Sequence, residues 1–191
     1  MANEPKIDLR TSDLCFIDLE ATGHVFGHHE VIELALIRTT PDAERELGRW
    51  YRKLRPRHPQ RATPKALEVS GYREESWLDA AEPSAEVWTS FAEFARGAVP
   101  VCHNPTFDRA HITLAAAAEN VTDLGVDYHW IGTESLSWPL YKEGAIPKMS
   151  LEQLCRYFGI EPEPMPHSAM NGAEVCRAVY LAIMRAWQSA H

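Results

Sequence analysis

Two carboxylates lie close together near the start of the chain. In the stretch FIDLEATG, Asp18 and Glu20 end an apolar run, and residues two apart on a strand point to the same face. Such a pair repels unless a cation lies between the two groups, and Mg2+ or Mn2+ prefers carboxylate, phosphate and water oxygens. The pair therefore predicts a divalent-metal site at a strand end, although acidic pairs also occur there without a metal.

Two further stretches carry residues that suit the same chemistry. In VPVCHNPTFD, Asp108 falls in the first turn of a helix predicted to begin at Pro105, where the helix dipole alone also favours an acid. In PHSAMNGAEVC, His167 precedes the last predicted helix, and the pKa of histidine suits a general base. In this order, the three stretches suit two-metal hydrolysis of a phosphodiester.

The same stretches carry a family resemblance. FIDLEATG resembles the DxETTG motif of the DEDDh (DnaQ-like) 3'-5' exonucleases, a family that includes the DNA polymerase III epsilon exonuclease domain and RNase T. HNPTFD resembles their HNxxFD motif, PHSAMNGA their PHRAxxDA motif, and SLEQLCRYFGI their SLxxLxxxxGI helix. The resemblance covers about residues 13–184. It implies an RNase H-like fold and a metal-dependent 3'-5' exonuclease that releases nucleoside 5'-monophosphates from single-stranded DNA or RNA.

The resemblance also implies roles for individual residues. Asp18, Glu20 and Asp108 are expected to bind two Mg2+ or Mn2+ ions, and His167 to activate the attacking water. The first motif departs from the family at Ala21, where Thr is usual. The terminal nucleotide is expected to contact the remaining motif positions, which are Ala21, Thr22, Gly23, His103, Asn104 and Phe107.

One ligand of the family pattern is missing. A metal-binding Asp is expected five residues after the catalytic His, and Gly172 stands there. On a helix, Asn171 and Glu174 point roughly 100° and 200° away from that position. The gap is open to a neutral oxygen from Asn171, a carboxylate from elsewhere in the fold, water, or loss of the ligand. We expect Gly172→Asp to raise metal affinity if this alignment is right.

The missing ligand leaves alternative functions open. The chain could be a catalytically weakened or inactive relative that binds nucleic-acid 3' ends or a protein partner, or a structural domain that keeps only the fold. The resemblance also allows a homodimer or a polymerase partner. Gly172 is the main argument for a loss of activity, whereas His167 and the remaining carboxylates favour an enzyme.

The elements that must position these residues follow from hydrophobic periodicity. Strands at 13–19, 30–39 and 47–56 are joined by short links and predict an antiparallel meander. Alternating helices and strands then predict a single α/β domain over 1–191, with its core at about 13–187 and a mixed five-stranded sheet flanked by helices. The later elements are a helix at 84–97 capped by Ser84, a strand at 98–104, a helix from Pro105, a fifth strand at 128–133 and a final helix within 171–187.

Composition limits the classes of function. The 191 residues carry a net charge of −8, which argues against coating duplex DNA by charge alone. Segment 45–73 nevertheless holds nine basic and two acidic residues, either as a solvated surface or as a phosphate-contacting one. Beside it, Trp50 and Tyr51 are candidates to stack on a base.

Other sequence features concern the environment of the chain. The polar start lacks the apolar stretch of a secretory signal, and no apolar run approaches the roughly 20 residues of a membrane span, so a cytoplasmic location is predicted. The four widely spaced cysteines are expected to be buried thiols. GHVFGHH, at 23–29, is predicted to be a loop at the mouth of the site rather than a zinc site.

Overall fold

The computed structural model describes residues 8–189; residues 1–7 and 190–191 of the predicted domain lie outside the described residues. Within the described part, the strands form a mixed five-stranded sheet in the order β3-β2-β1-β4-β5. The pairs β1–β2 and β2–β3 are antiparallel, whereas β1–β4 and β4–β5 are parallel. The predicted sheet is therefore confirmed. The strands are β1 Leu14–Ala21, β2 Val31–Thr39, β3 Glu46–Lys53, β4 Val99–Cys102 and β5 Ile131–Gly132.

The helices agree with the predicted pattern in most places. Ser84 accepts a hydrogen bond from the Val87 amide and caps its helix, and Pro105 opens the helix predicted to start there. The short helix α1 was not predicted, because its Pro-rich surroundings favour a loop. The helices are α1 Pro64–Ser70, α2 Ala85–Ala95, α3 Pro105–Ala118, α4 Thr133–Leu136, α5 Trp138–Lys142, α6 Leu151–Phe158 and α7 Ala169–Ser189, with short 3-10 helices at Pro59–Arg61 and Glu74–Trp77.

The fifth strand is much shorter than the predicted 128–133. It comprises Ile131–Gly132 alone. The residues before it turn locally, because the Asp127 carboxylate accepts a hydrogen bond from the His129 amide at 2.7 Å. An Asx turn of this kind competes with the strand ladder for backbone groups, so pairing with β4 begins only at Ile131.

Strand β1 lies in the middle of the sheet between two apolar layers. One face carries Ile17 and Leu19, which pack in a core with residues of α2 and α3. The other face carries Phe16, which packs in a second core with residues of α7. Since side chains alternate along a strand, Asp18 and Glu20 fall on the face that α7 covers.

The basic segment 45–73 and its two aromatic candidates make several contacts within the protein. Trp50 is 9% exposed and packs its ring against Phe91 at 5.9 Å, so the prediction that it stacks on a base is wrong. The Tyr51 hydroxyl donates to the carboxylate of Glu33. Within residues 8–189, four of the nine basic residues of the segment form ion pairs, which are Arg49–Glu46, Arg49–Glu174, Arg55–Glu82, Arg57–Glu119 and Lys65–Glu68.

The remaining expectations concern cysteines and membranes. All four cysteines are free and buried, as predicted. None of the helices formed by residues 8–189 is long and apolar enough to cross a membrane. The cytoplasmic location stays a prediction.

Candidate active site

The three sequence motifs meet at one cavity of about 700 Å³. The carboxyl ends of the parallel strands β1 and β4 lie side by side there, which is where open α/β sheets commonly bind ligands. The loop before α7 closes the third side. Most of the predicted site residues line this cavity, namely Asp18, Glu20, Ala21, Gly23, His103, Asn104, Phe107, Asp108 and His167.

Gly172 lies directly against Asp18. A Cβ atom added at Gly172 would stand 2.3 Å from Oδ2 of Asp18 and 2.6 Å from its Cγ. The Asp18 carboxylate therefore occupies the space that a side chain at position 172 would need. This placement makes the expected gain from Gly172→Asp conditional on a shift of Asp18.

Asn171 does not take the place of the missing carboxylate at the cavity wall. Its backbone amide donates to Oγ of Ser168 at 3.3 Å, within the first turn of α7. The residues that line the cavity, taken over the described part of the chain, do not include Asn171. The possibility that it supplies a neutral ligand has no support from this geometry.

A further carboxylate enters the cavity from the loop before α7. Glu163 lines the cavity, and its Oε1 accepts a hydrogen bond from the Ser168 amide at 2.8 Å. Its Oε2 lies 3.5 Å from Nδ1 of His167. In the described range 8–189, one group of three potential metal ligands has its ligand atoms within 4.8 Å of one another: Glu20, Glu163 and His167.

Glu163 belongs to no motif, and sequence reasoning did not single it out. The pattern EPEPMPH shows only an acid four residues before the histidine, in a loop without periodicity. Asp18 and Asp108, which were expected to complete the ligand set, lie outside the group of three although they line the same cavity.

The site concentrates negative charge. Burial raises the pKa of Glu20 to about 8, and the nearby charges of Glu163, Glu33 and Asp108 add to this. Burial, together with Asp108 and Glu20, raises the pKa of Asp18 well above its usual range. Because like charges at close range oppose ionisation, these groups favour either protonation or a bound cation.

The donor set fits a hard divalent cation. Burial raises the pKa of Asp108 to about 7 and that of Glu163 to about 7. Over residues 8–189, no Lys or Arg forms an ion pair with Asp18, Glu20, Asp108 or Glu163. Carboxylate oxygens left without a basic partner are the ligands that Mg2+ and Mn2+ prefer.

Glu33 is a second buried acid that sequence reasoning missed. It lies opposite Glu20 in the β1–β2 ladder and is 2% exposed. Its carboxylate accepts from the Tyr51 hydroxyl at 2.7 Å and from the backbone of Ala169. Glu33 therefore ties the first turn of α7 to the sheet. An acid within the apolar run EVIELAL was the available signal.

His167 keeps the neutral form that a proton acceptor needs. Burial lowers its pKa below the usual value, and its backbone amide donates to the carbonyl oxygen of Val69 at 2.7 Å. That bond fastens the loop before α7 to α1. The histidine is thus held at the cavity with its imidazole partly exposed.

His103 lines the cavity and is held by contacts with neighbouring segments. Burial lowers its pKa to about 4, and its Nδ1 lies 2.9 Å from Oγ1 of Thr133. It also bonds to the backbone of Met149. These contacts join β4, α4 and the segment before α6.

Thr22 does not line the cavity, unlike its neighbours Ala21 and Gly23. It is fully buried, and its hydroxyl accepts a hydrogen bond from the Glu30 amide at 2.9 Å. A direct contact of this side chain with a nucleotide therefore has no support from the geometry. Its bonds instead close the loop after β1.

The predicted loop at 23–29 lies at the mouth of the cavity. His24 lines the cavity, and Phe26 is 43% exposed. The ring of Phe26 lies 6.4 Å from that of Phe107 and 5.1 Å from that of His111. These rings form an aromatic cluster at the mouth of the cavity that the carboxylates line.

Comparisons with known proteins agree with this arrangement. The fold is similar to that of E. coli exonuclease I in a zinc-bound complex with single-stranded DNA, with a TM-score of 0.80, 16% identity, and coverage of 93% of this chain and 41% of that chain. It is also similar to exonuclease I from Methylocaldum szegediense, with a TM-score of 0.71, 17% identity, and coverage of 91% and 40%. The chain thus spans about two fifths of the length of these structures, with which it shares the RNase H-like fold.

A search among curated protein sequences gives no match. The RNase T family model, described as exonuclease, matches residues 15–180. That range contains all three motifs and the residues that line the cavity. The chain therefore belongs to this exonuclease family, which confirms the resemblance to the DEDDh (DnaQ-like) 3'-5' exonucleases.

Proposed function

We propose that this nuclease is a metal-dependent 3'-5' exonuclease that removes nucleotides from the 3' end of single-stranded nucleic acid as nucleoside 5'-monophosphates. The observation that carries the proposal is the cavity itself, where Asp18, Glu20, Asp108 and His167 meet. Family membership supports the nuclease chemistry, and the unpaired carboxylates support a requirement for divalent cations.

Each site residue has a role in this reaction. Asp18, Glu20 and Asp108 would hold Mg2+ or Mn2+, which supplies positive charge beside the scissile phosphate and lowers the pKa of water. His167 accepts a proton from the attacking water on its imidazole, and the lowered pKa keeps that imidazole neutral and ready near pH 7. Water attacks the phosphorus, and the bond to the 3' oxygen of the preceding nucleotide breaks.

The walls of the cavity suit the rest of a nucleotide. Phe107 lies on one side and offers a ring face or edge to the terminal base, since stacking on aromatic rings tolerates every base. Lys65 lies on the α1 side. Its ammonium group forms a highly exposed ion pair with Glu68, a kind of pair that contributes little and is easily exchanged for a phosphate.

Single-stranded DNA is the first substrate to test, because E. coli exonuclease I, which shares the fold, has been solved with a dA16 oligonucleotide. RNA is the alternative. A homodimer, a polymerase partner and a cytoplasmic location stay predictions.

The test is degradation of single strands labelled at the 5' end, with Mn2+ or Mg2+, for the wild type and Asp18→Asn. A ladder that shortens from the 3' end, requires the cation and is lost in Asp18→Asn supports the proposal. Binding of the strand without shortening would identify an inactive 3'-end-binding relative instead. Strands blocked by a 3' phosphate distinguish exonucleolytic from internal cleavage.

A further inference from the structure

We propose that Glu163 is a metal ligand that replaces the carboxylate missing at Gly172 and binds the divalent cation together with Glu20. The inference rests on the proposed metal-dependent nuclease. It assigns to a loop residue the role that the family pattern gives to the first turn of the last helix.

No residue on the Gly172 face of helix α7 can supply the missing carboxylate. The space above Gly172 is taken by Asp18, whose Oδ2 would lie 2.3 Å from a Cβ there. The positions three and four residues on, which share that face of the helix, are Val175 and Cys176. Neither offers a carboxylate, so a replacement must come from another segment.

Glu163 is positioned as a ligand would be. One carboxylate oxygen is held by the Ser168 amide at 2.8 Å, which leaves Oε2 turned toward His167. The ligand atoms of Glu20, Glu163 and His167 lie within 4.8 Å of one another. Since hard cations bind oxygen at about 2.0–2.6 Å, one ion can bind carboxylate oxygens of Glu20 and Glu163 at this spacing.

The loop that carries Glu163 is stiff. Pro162, Pro164 and Pro166 alternate with other residues on both sides of it, and proline fixes the backbone angle φ. The His167 amide then anchors the end of the loop to Val69. A ligand held in this way loses little conformational freedom when it binds an ion.

The geometry favours a metal ligand over a partner that orients His167. The distance from Oε2 of Glu163 to Nδ1 of His167 is 3.5 Å, whereas a hydrogen bond from N–H to oxygen spans about 2.7–3.2 Å. The carboxylate also has no ion pair with Lys or Arg anywhere in residues 8–189. Its oxygen atoms are therefore not occupied by a basic side chain in the described part of the chain, which leaves Oε2 available to a cation.

The experiment is a Mn2+ titration of the full chain, with free Mn2+ followed by its paramagnetic resonance signal. The variants are Glu163→Gln, Glu163→Asp and Glu161→Gln. Glu161 is the matched control, an exposed acid two residues away in the same loop. We expect Glu163→Gln to weaken Mn2+ binding by at least about tenfold, Glu163→Asp to weaken it less, and Glu161→Gln to remain within about twofold of wild type.

The dependence of Mn2+ affinity on salt distinguishes a direct metal ligand from a charge that attracts the ion through space. Raising the ionic strength to about 0.5 M screens through-space attraction between partly exposed charges. A loss that persists in Glu163→Gln under those conditions supports the proposal, and a loss that disappears overturns it. Unchanged Mn2+ affinity with a lowered cleavage rate also overturns it, because Glu163 would then orient His167. Thermal unfolding without metal checks that each variant is folded.

Parallel cleavage assays at saturating Mn2+ keep the two proposals apart. If the wild type cleaves and Glu163→Gln binds Mn2+ normally, the ligand assignment fails and the nuclease remains. If Glu163→Gln loses Mn2+ affinity but the wild type cleaves no strand, the ligand assignment holds and the exonuclease proposal fails. Absence of Mn2+ binding by the wild type contradicts both.

Discussion

The contact between Asp18 and Gly172 explains why a glycine is compatible with this site. A residue without a side chain lets the carboxylate of Asp18 rest against the backbone of α7. The position therefore accommodates the carboxylate of Asp18, a proposed metal ligand, instead of supplying a carboxylate of its own. The expectation from the sequence that Gly172→Asp restores a ligand does not take account of this overlap. The substitution would also place a second negative carboxylate beside Asp18.

Gly172→Ala tests the contact without adding charge. Helix propensity alone would stabilise the protein by about 1 kcal/mol, but the added methyl group overlaps Asp18 and pushes its carboxylate away. We expect Mn2+ affinity and cleavage rate to fall about tenfold, with little change in unfolding temperature. Titration and initial rates measure this.

Gly48→Ala is the control, because its Cβ would meet Phe94 at 3.5 Å, an ordinary contact, and Gly48 does not line the cavity. If Gly172→Ala bound Mn2+ with wild-type affinity, the present position of the Asp18 carboxylate would not be required for metal binding.

The proposed role of His167 in proton transfer can be tested separately from metal binding. We expect His167→Ala to lower the turnover rate by about 100- to 10,000-fold, the usual contribution of a general base. Mn2+ affinity should change by only a few-fold, because the carboxylates remain. Single-turnover cleavage and Mn2+ titration are the two measurements. Unchanged turnover would refute the general-base role, and a large loss of Mn2+ affinity would make His167 a ligand instead.

At the scale of elements, the position of α7 decides the site. Arg177 fixes this helix to the turn between β2 and β3, since its Nε and a terminal nitrogen donate to the carbonyl oxygens of Ala43 and Glu44 at 2.9 and 2.8 Å. The Glu33 carboxylate holds the first turn of α7 by accepting a hydrogen bond from the backbone of Ala169. These bonds hold Gly172 over Asp18.

Arg177→Ala should therefore destabilise the protein measurably. The change leaves the carbonyl of buried Ala43 without its donor, which costs about 2 kcal/mol and lowers the unfolding temperature by roughly 4–8 °C for a chain of this size. Arg185→Ala is the control, because its pair with Glu44 is exposed and contributes less than about 1 kcal/mol. Equal effects of the two changes would show that the backbone clamp is unimportant.

At the scale of the whole molecule, the charge cluster couples stability to pH. The folded-state pKa values of Glu20, at about 8, and of Asp108 and Glu163, at about 7, are raised above the unfolded values of about 4. The folded protein thus binds more protons than the unfolded chain between about pH 4 and pH 8, so stability contributed by these groups falls as pH rises through this window.

We expect the metal-free protein to unfold at lower temperature as pH rises from 5.5 to 8, and Glu20→Gln to flatten this trend. Mn2+ should offset the loss increasingly with pH, because its ligands must be deprotonated. At 100 times the dissociation constant, binding adds about 2.7 kcal/mol, or roughly 5–10 °C. Scanning calorimetry with and without Mn2+ measures both effects. A metal-induced shift that shrinks toward pH 8 would contradict the charge cluster.

Sequence patterns determined most of the elements and the motif residues of this protein. The alternation in β1 put Asp18 and Glu20 on one face, and the apolar stretch before HNP predicted β4 and the start of α3. Such signals are local, because they depend on the period of a strand or helix and on residues a few positions apart. The order of the three motifs and their resemblance to a known family then predicted the fold and a shared site, and the structure places most of the predicted site residues at one cavity.

Only the tertiary structure decided which side chains reach the site and which are buried beside it. Glu163 approaches Glu20 across more than a hundred residues of chain, from a loop whose path no periodicity encodes. Thr22 and Trp50 fall in the interior because distant segments cover them. The contact of Gly172 with Asp18, which bears on the missing carboxylate, also depends on the tertiary structure, because it is set by how α7 crosses β1. The packing angle between two elements that are remote in sequence cannot be read from the residue spacing within either element.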